Sequence, residues 1–340
     1  MCVGFEVWAI IIKIKTSKFL KHLISQVQWS GIYNKGLSNY CLSCCVNTLL
    51  QTLSATWELA DLLDKWDTAG VRMEGRNVPL HLKGVLTAMR SEILQPAPHQ
   101  DFLHCLDKNR VRLNVQHDAD EVFLFILNSM LQQMNDKPLA LEIQNLYKIS
   151  VETQLQCLEC SSLQTQSSYL LSMPLHIKED HDSLEDCLTS FFEHQELWGI
   201  NSCFCPKCEM KTPSKQGFKL LSLPQILCVN LKRARNSRFG TQKLNCKVTF
   251  PERFDFSDAV KEAFSSNSAL TGHKYTLYAV VVHSGSAMCG HYTAYVRHRM
   301  DQRWYYADDS HVKQVDTAYM LMYRRDASET TVQLSDGIVA

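Results

Sequence analysis

The first half of the chain carries two runs of apolar residues at helical spacing, and the first run begins at Cys44. The second run, DADEVFLFILNSMLQQM, opens with acidic residues, which the helix dipole favours at a helix N-terminus. Together the two runs predict mainly helical structure from Cys44 to about position 145. The residues that carry the two stripes are Val46, Leu49, Leu50, Leu53 and Trp57 in the first, and Val122, Phe125, Ile126 and Met130 in the second.

The pattern changes at about position 146. Beyond it, β-branched and aromatic residues form short runs bounded by turn residues, which is typical of strands. These runs are YKISVETQLQC, FKLLSL, QILCVNLKR, YTLYAVVVHSG, HYTAYVRH and RWYYAD. Helices followed by sheet predict an α+β fold.

Composition narrows the class of protein. The 340 residues are 45% hydrophobic and 21% charged, which allows a large buried core and argues against extended disorder. The formal net charge is zero, so the overall positive field expected of a nucleic-acid-binding protein is missing. The apolar stretch CVGFEVWAIII has no basic segment before it, is interrupted by Glu6 and is too short to span a membrane. We therefore expect the 14 cysteines to be thiols, metal ligands or a nucleophile in a reducing compartment, the cytoplasm with the nucleus as a further location.

The segment GLSNYCLSCCVNTLLQ places three cysteines around the start of the first helix. Cys44 falls where unpaired amide groups and the helix dipole stabilise a thiolate, which is what a cysteine nucleophile requires. Cys41 precedes the helix, and Cys45 is rotated by about 100° around it. Cys44 is therefore the candidate nucleophile. The alternative is a small buried residue in a core helix.

The segment HSGSAMCGHYTAYVRH offers two candidate bases, His283 and His291. Gly290 leaves room for close backbone approach beside His291. If this strand-like run and the next form an antiparallel hairpin, Asp308 lies on the same face as His291 and orients its imidazole. The alternative is a histidine and an aspartate on the surface. The assumed pairing is Arg297 with Gln302, Tyr295 with Trp304, and His291 with Asp308.

Two C-x-x-C knuckles, CLEC and CPKC, supply four thiolates that suit tetrahedral Zn²⁺. A closed four-sulfur site leaves no open position for water, so its role would be structural. A redox pair is the alternative for a single knuckle. Cys187 and Cys203 are expected to be spare thiols. The predicted ligands are Cys157, Cys160, Cys205 and Cys208.

Taken together and in this order, these motifs resemble the ubiquitin-specific protease family of papain-like cysteine peptidases. The resemblance extends from about Gly36 to Tyr323. It implies a helical thumb, a palm sheet and zinc-bearing fingers, with the zinc knuckles in the fingers. The cysteine box makes Cys44 the nucleophile and Asn39 the oxyanion-hole amide. The segment WYYADDS places the third member of the triad at Asp308, with Asp309 as its neighbour.

The resemblance also implies a binding site for the C-terminal tail of a modifier that ends in Gly-Gly. In the segment QHDADE, the family's carboxylates grip this tail; helix capping is the alternative role for them. The aromatic residues Tyr292 and Trp304 either wall a narrow channel that admits glycine or belong to the core. The predicted substrate-binding residues are Gln116, Asp118, Glu121, Gly290, Tyr292 and Trp304.

Within the family, the resemblance is greatest to the interferon-induced member that removes the interferon-stimulated ubiquitin-like modifier. SCCVN, VQHDA and CFCPKC carry it. It implies an isopeptidase with type I interferon receptor signalling components among its partners. The implied organisation is an extension of unassigned role at 1–34, a catalytic domain at 35–325 and a tail at 326–340. Within the domain, the thumb covers about 35–145, and fingers and palm cover about 146–325, with the fingers around 150–222.

The departure from the family pattern at Cys41 and Leu42 raises an alternative function. Most members have glycine at the first of these positions, so a side chain there is expected to strain the loop that forms the oxyanion hole. The alternatives are a weakly catalytic or non-catalytic scaffold that binds the modifier or a receptor component, and a general deubiquitinase. A zinc-dependent nucleic-acid binder would need basic patches that a neutral chain does not obviously supply.

Overall fold

The structure is a computed structural model that describes part of the chain. The predicted N-terminal extension lies outside the described residues, as do Cys41, Leu42, Asp309 and the tail after Asp326. The described ranges are 37–39, 43–72, 74–91, 98–178, 182–237, 240–260, 273–287, 289–300, 302–308 and 317–326.

Six helices occupy the first part of the described chain, and the strands come after them. The helices are α1 (Cys44–Ala55), α2 (Trp57–Lys65), α3 (Val78–Arg90), α4 (His99–Lys108), α5 (Ala119–Gln133) and α6 (Lys137–Tyr147). Two further helices follow among the strands, α7 (Leu184–Phe192) and α8 (Phe256–Ala259). The predicted helical stretch and its end are both confirmed, and so is the α+β class.

Helix α1 is enclosed on all sides rather than amphipathic. Every residue from Cys44 to Leu53 is buried, including the polar side chains of Asn47 and Gln51. The reason is position: α1 lies between other helices and the strands that follow, and it packs on both. The single helix that the periodicity predicted is also interrupted at Thr56, whose hydroxyl lies 2.7 Å from the Tyr278 hydroxyl.

The strands form one large sheet, one four-stranded sheet and three two-stranded pairs. The large sheet has the order β16-β15-β14-β17-β9-β3, and β13 also pairs with β14. The four-stranded sheet has the order β2-β1-β8-β5, and the pairs are β10-β11, β12-β4 and β6-β7. The bounds are β1 (Ile149–Cys157), β2 (Leu163–Leu170), β3 (Met173–His176), β4 (Asp182–Ser183), β5 (Gln195–Leu197), β6 (Cys203–Cys205), β7 (Met210–Thr212), β8 (Ser214–Ser222), β9 (Ile226–Lys232), β10 (Ala234–Ser237), β11 (Gly240–Lys243), β12 (Val248–Thr249), β13 (Arg253–Asp255), β14 (Lys274–Gly285), β15 (Gly290–Arg297), β16 (Trp304–Ala307) and β17 (Thr317–Arg325).

The large sheet separates two hydrophobic cores. Alternate residues of one strand point to opposite faces, so neighbours such as Cys228 and Val229 enter different cores. The first core joins the sheet to α1–α6, and the second joins it to α7 and α8. None of the described helices combines the length and the apolar character needed to cross a membrane.

Arg324, near the end of β17, connects the sheet to the junction of α1 and α2. Its guanidinium donates to the Glu58 carboxylate through two nitrogens and to the Ala55 carbonyl at 3.1 Å. The same group lies over the rings of Trp57 and Tyr278, with its Cζ 4.2 Å from the Tyr278 centroid. A planar fork with five donors suits this arrangement, whereas an ammonium group does not.

We expect Arg324→Lys to destabilise the fold although it keeps the charge. Lysine cannot pair with Glu58 through two nitrogens while stacking on both rings, so the expected loss is about 1–3 kcal/mol. Urea unfolding followed by intrinsic fluorescence measures it. Arg325→Lys, at the next position on the opposite face of β17, is the matched control and should change stability by less than about 0.5 kcal/mol. Equal stability of the two variants would contradict this role of Arg324.

Candidate functional site

The predicted nucleophile is the first residue of α1. Cys44 follows the N-cap residue Ser43, is 3% exposed and begins a helix with no acidic residue in its first turn. Its sulfur therefore lies at the positive end of the helix dipole. Cys45 is fully buried in the first core, where burial, and next the charge of Cys44, raise the pKa of its thiol. Of the two neighbouring cysteines in the described chain, Cys44 has the environment of a nucleophile.

The segment before α1 is fixed by hydrogen bonds from two directions. The side-chain amide of Asn47 donates to the Ser38 carbonyl at 3.2 Å, and a ring nitrogen of His99 lies 3.2 Å from the same oxygen. Asn39 accepts from the Ser43 amide and hydroxyl through its Oδ1, both at 3.2 Å. An amide whose oxygen is held in this way presents its NH₂ group as a donor. Cys41 and Leu42 lie outside the described residues, so the strain expected there stays a prediction.

The predicted base and its orienting acid are in direct contact. The Nε2 atom of His291 lies 2.8 Å from Oδ1 of Asp308, and the Tyr306 hydroxyl donates to Oδ2 at 3.0 Å. The Asp308 side chain is only 5% exposed, which strengthens its electrostatic contact with the ring. The arrangement can hold the imidazole in one orientation.

The strand register differs from the predicted one by two residues. Arg297 pairs with Trp304, and Tyr295 pairs with Tyr306, so the predicted pairings of Arg297 with Gln302 and of Tyr295 with Trp304 are wrong. The reason is the turn: it begins one residue later, with the His298 amide donating to the Arg303 carbonyl, and Gln302 takes a positive φ of 57°.

His291 and Asp308 consequently do not face each other directly. A shift of two residues preserves the face on which each side chain lies, so both still point to the same side of the sheet. Asp308 follows the last residue of β16 and reaches back to the ring of His291. The sequence predicted this contact because the even or odd spacing of the two residues places them on one face. That reason is correct, although the strand register assumed with it is wrong.

Helix α1 packs directly on β15 and β14, which brings the element carrying Cys44 onto the strand carrying His291. Cys44, Cys45, Tyr292 and Ala294 share the first core. Tyr292 is 4% exposed, and its ring centroid lies 4.4 Å from that of His283. The predicted nucleophile and base therefore lie on contacting elements although 247 positions separate them in the sequence.

The other candidate base, His283, is unsuited to proton transfer near neutral pH. Burial, and next the charge of Lys243, lower the pKa of its ring to about 4. The ring is thus neutral at pH 7. It packs against Tyr292, Tyr319 and the backbone of Gly290.

A pocket beside this site contains several of the predicted substrate-binding residues. Asp118 is the N-cap of α5: its Oδ1 accepts from the amides of Asp120 and Glu121 at 2.8 and 3.2 Å. Its Oδ2 accepts from the Tyr319 hydroxyl. The Glu121 side chain is exposed at the same helix start. The pocket is lined by Gln116, His117, Asp118, Arg233, Ala234, Lys243, His283, Ala287, Tyr292 and Tyr319.

Tyr319 reaches this pocket because β17 is irregular. The register between β14 and β17 shifts between Val281 and Val282, so that Tyr319 and Met320 both enter the first core. Burial, and next the charge of Asp118, raise the pKa of Tyr319, which therefore stays protonated and donates to that carboxylate.

Trp304 does not lie in this pocket. It is 4% exposed and belongs to the second core, on the face of the sheet opposite Tyr292. Its strand alternation, fixed by the pairing with Arg297, turns the indole away from the first core, which contains Cys44. The channel-wall role predicted for Trp304 is corrected to that of a core aromatic.

Sequence reasoning missed the two cations of the pocket. Lys243 donates to the carbonyls of His283 and Gly285 at 2.7 and 3.1 Å. Arg233 is 2% exposed and donates to the carbonyls of Ala318, Leu244 and Cys246. An arginine directly after a strongly apolar strand was the available signal for the second residue; nothing local marks Lys243.

The four knuckle cysteines converge at the far end of β1 and β8. Their Sγ atoms lie within 4.8 Å of one another, with 3.9 Å between Cys157 and Cys208 and 3.6 Å between Cys160 and Cys205. Tetrahedral coordination with Zn–S bonds of about 2.3 Å requires S–S distances of about 3.8 Å. The donor set and the spacing fit a metal ion of this kind, and four cysteines can hold one.

The two knuckles have matching backbone turns. The residue after each second cysteine, Ser161 or Glu209, has a φ of 56°, which turns the chain sharply back toward the sulfurs. Side-chain hydroxyls support the cluster, since Ser162 lies 3.1 Å from the Cys160 sulfur and Thr212 lies 3.1 Å from that of Cys157. Cys187 and Cys203 lie outside this group, as predicted.

Known proteins resemble the chain over most of its length. Residues 35–323 match the family profile described as ubiquitin carboxyl-terminal hydrolase. The chain is 33% identical over 315 residues to the Ubl carboxyl-terminal hydrolase 18 of Homo sapiens, with 85% of this chain and 84% of the relative covered. The protein of that name from Mus musculus is 34% identical over 319 residues, with 86% of each covered.

More distant relatives cover the same region. Ubiquitin carboxyl-terminal hydrolase 47 of Mus musculus is 26% identical over 353 residues, which cover 84% of this chain and 26% of the relative. Among solved structures, the "Structure of the SAGA Ubp8/Sgf11/Sus1/Sgf73 DUB module bound to ubiquitin aldehyde" matches with a TM-score of 0.72 at 20% identity. That match covers 91% of this chain and 74% of the solved one, and it shows a shared fold.

Proposed function

The chain belongs to the ubiquitin carboxyl-terminal hydrolase family, and we propose that it is a thiol-dependent isopeptidase that removes a ubiquitin-like modifier from substrate lysines. The observation that carries this proposal is the packing of α1, which begins at Cys44, on β15, the strand that carries His291 in its hydrogen bond to Asp308. A nucleophile, a base and an orienting acid on contacting elements are the components that acyl transfer requires.

In the proposed reaction, the Cys44 thiolate attacks the carbonyl carbon of the modifier's terminal glycine. The new carbon–sulfur bond gives a tetrahedral oxyanion, and donors from the Asn39 side chain and the Cys44 amide stabilise it. As the carbon–nitrogen bond breaks, the imidazolium of His291 protonates the lysine amine that leaves. Water then attacks the thioester, with neutral His291 taking its proton, and releases the modifier carboxylate and the free thiol.

We propose that the pocket around Asp118 receives the modifier's C-terminal tail. Asp118 caps α5 and accepts a hydrogen bond from Tyr319. Because it also lines the pocket, its remaining lone pairs can accept a further hydrogen bond there. The exposed carboxylate of Glu121 at the same helix start can pair with an arginine of the tail. The capping alternative is therefore compatible with a substrate role for Asp118 rather than opposed to it.

We propose that the preferred modifier is the interferon-induced ubiquitin-like one. The support is a 33–34% identity to Ubl carboxyl-terminal hydrolase 18 along more than four fifths of both chains, against 26% to a ubiquitin carboxyl-terminal hydrolase. Action in the cytoplasm and nucleus, and contact with type I interferon receptor signalling components, belong to the same proposal. The scaffold alternative rested on Cys41 and Leu42 and stays a prediction.

Probes that carry a C-terminal electrophile test the activity. We expect a ubiquitin-like probe to form a covalent adduct that is abolished by Cys44→Ala and retained by Cys45→Ala, since only the first thiol begins the helix. Adduct formation is read by intact mass, with a ubiquitin probe in parallel. Adducts with neither probe, from a folded protein, would contradict the proposal; faster reaction with the ubiquitin probe would contradict the preference alone.

We further propose that the four knuckle cysteines bind one structural zinc ion. Elemental analysis of purified protein should give about one equivalent. Cys208→Ser should lose the metal and lower the unfolding temperature, because a structural zinc site contributes folding free energy. The control is Cys203→Ser, a thiol of the same hairpin outside the group of four. Protein that folds normally without metal would contradict this assignment.

A further inference from the structure

Gln116 makes contacts that its predicted role does not account for. Its Oε1 accepts from the amide of Gly290 at 2.8 Å, and its Nε2 donates to the carbonyl of the same residue. One side-chain amide thus pairs with both peptide groups of a glycine 174 positions away. Both polar atoms of Gln116 are in use, so little remains for a modifier tail.

The bonds fall on the side of Gly290 that faces away from β14. In the β14–β15 pair, the Ser286 amide donates to the Cys289 carbonyl, and bonded positions alternate along an antiparallel ladder. The N–H and C=O of Gly290 consequently face away from β14. On that side the described part of β16 pairs with β15 from Ala294 to Arg297. Gln116 supplies the hydrogen-bond partners of both peptide groups of Gly290.

Gly290 packs so closely on β14 that no side chain fits at this position. A Cβ atom at this position would lie 2.1 Å from the Ser284 carbonyl oxygen and 2.3 Å from Nε2 of His283. Gly290 is pressed onto β14 on one side and bonded to Gln116 on the other. On the opposite strand of this turn, Lys243 binds the carbonyls of His283 and Gly285.

We propose that Gln116 is a positioning residue that fixes His291 through the backbone of Gly290. Because Gly290 directly precedes His291, the two bonds set the position of the peptide from which the imidazole projects. Asp308 orients the ring, and Gln116 fixes the backbone that carries it. This inference rests on the proposed function, since it assigns a part in the same reaction.

Steady-state kinetics separate positioning from tail binding. Gln116→Met keeps the length of the side chain and removes both polar atoms. We expect kcat for a fluorogenic C-terminal amide of the modifier to fall about 10–100-fold, with KM nearly unchanged, because a base displaced by a fraction of an ångström loses its geometry. A tail ligand would show the reverse, a raised KM with kcat retained.

Alkylation of Cys44 by iodoacetamide gives a second readout that involves no tail. Paired with His291, the thiol should react at pH values well below the ordinary thiol pKa of about 8.5. In Gln116→Met the acid limb of the rate profile should shift toward that of His291→Ala. In Gln116→Glu the alkylation rate should recover toward that of the unaltered protein as the pH falls. The reason is that a protonated glutamate accepts from the Gly290 N–H and donates to its carbonyl as glutamine does.

Gln132→Met, an exposed glutamine of α5, is the control and should match the unaltered protein in both assays. An alkylation profile for Gln116→Met identical to that of the unaltered protein would overturn the inference, as would a change confined to KM. If the unaltered protein cleaves no modifier, the proposed function fails, while the alkylation profiles still decide the role of Gln116. If Gln116→Met does not fold, the pH-dependent recovery of Gln116→Glu decides it, and a uniform loss across pH overturns it.

Discussion

The burial of α1 against the large sheet is the contact on which the rest of the structure depends. Ten consecutive residues from Cys44 are buried, so the start of this helix is held by core packing rather than by a surface loop. Polar side chains inside it must find partners, and Asn47 does so by binding the segment that carries Asn39. The Cys44 thiol and the Asn39 amide proposed as an oxyanion donor are consequently fixed by the same interactions that stabilise the first core.

The site itself is assembled where regular elements end. Asp118 caps a helix, Asp308 follows the last residue of β16, and Gln116 bonds Gly290 at the first residue of β15. At such ends backbone and side-chain groups lack the partners that a helix or ladder supplies, so they can be directed at one another or at a substrate. The irregularity of β17 serves the same end, because it alone brings Tyr319 to the helix side of the sheet.

Local pattern was sufficient for the helices, most strands and the placement of Cys44, because each depends on periodicity or on a helix start. It failed where a distant partner or an unusual backbone conformation decides the outcome. The break at Thr56 follows from a contact with Tyr278, and the hairpin register follows from a turn with Gln302 at positive φ. Neither leaves a mark in the nearby sequence. Lys243 and Arg233 were missed for the same reason, since their partners are backbone carbonyls that any residue could supply.

The four-stranded sheet poses a separate physical problem. Its strand β2 is exposed at nearly every position, so no second layer within the described part of the chain covers it, and large side chains such as Leu163 and Tyr169 remain 55% and 45% exposed. At one end, β1 and β8 enter the second core through Ile149, Val151 and Leu220. At the other end apolar packing is replaced by the four cysteines. A sheet without a covering layer gains little from apolar burial, so cross-linking its free end through thiolates is the remaining way to hold it in one shape.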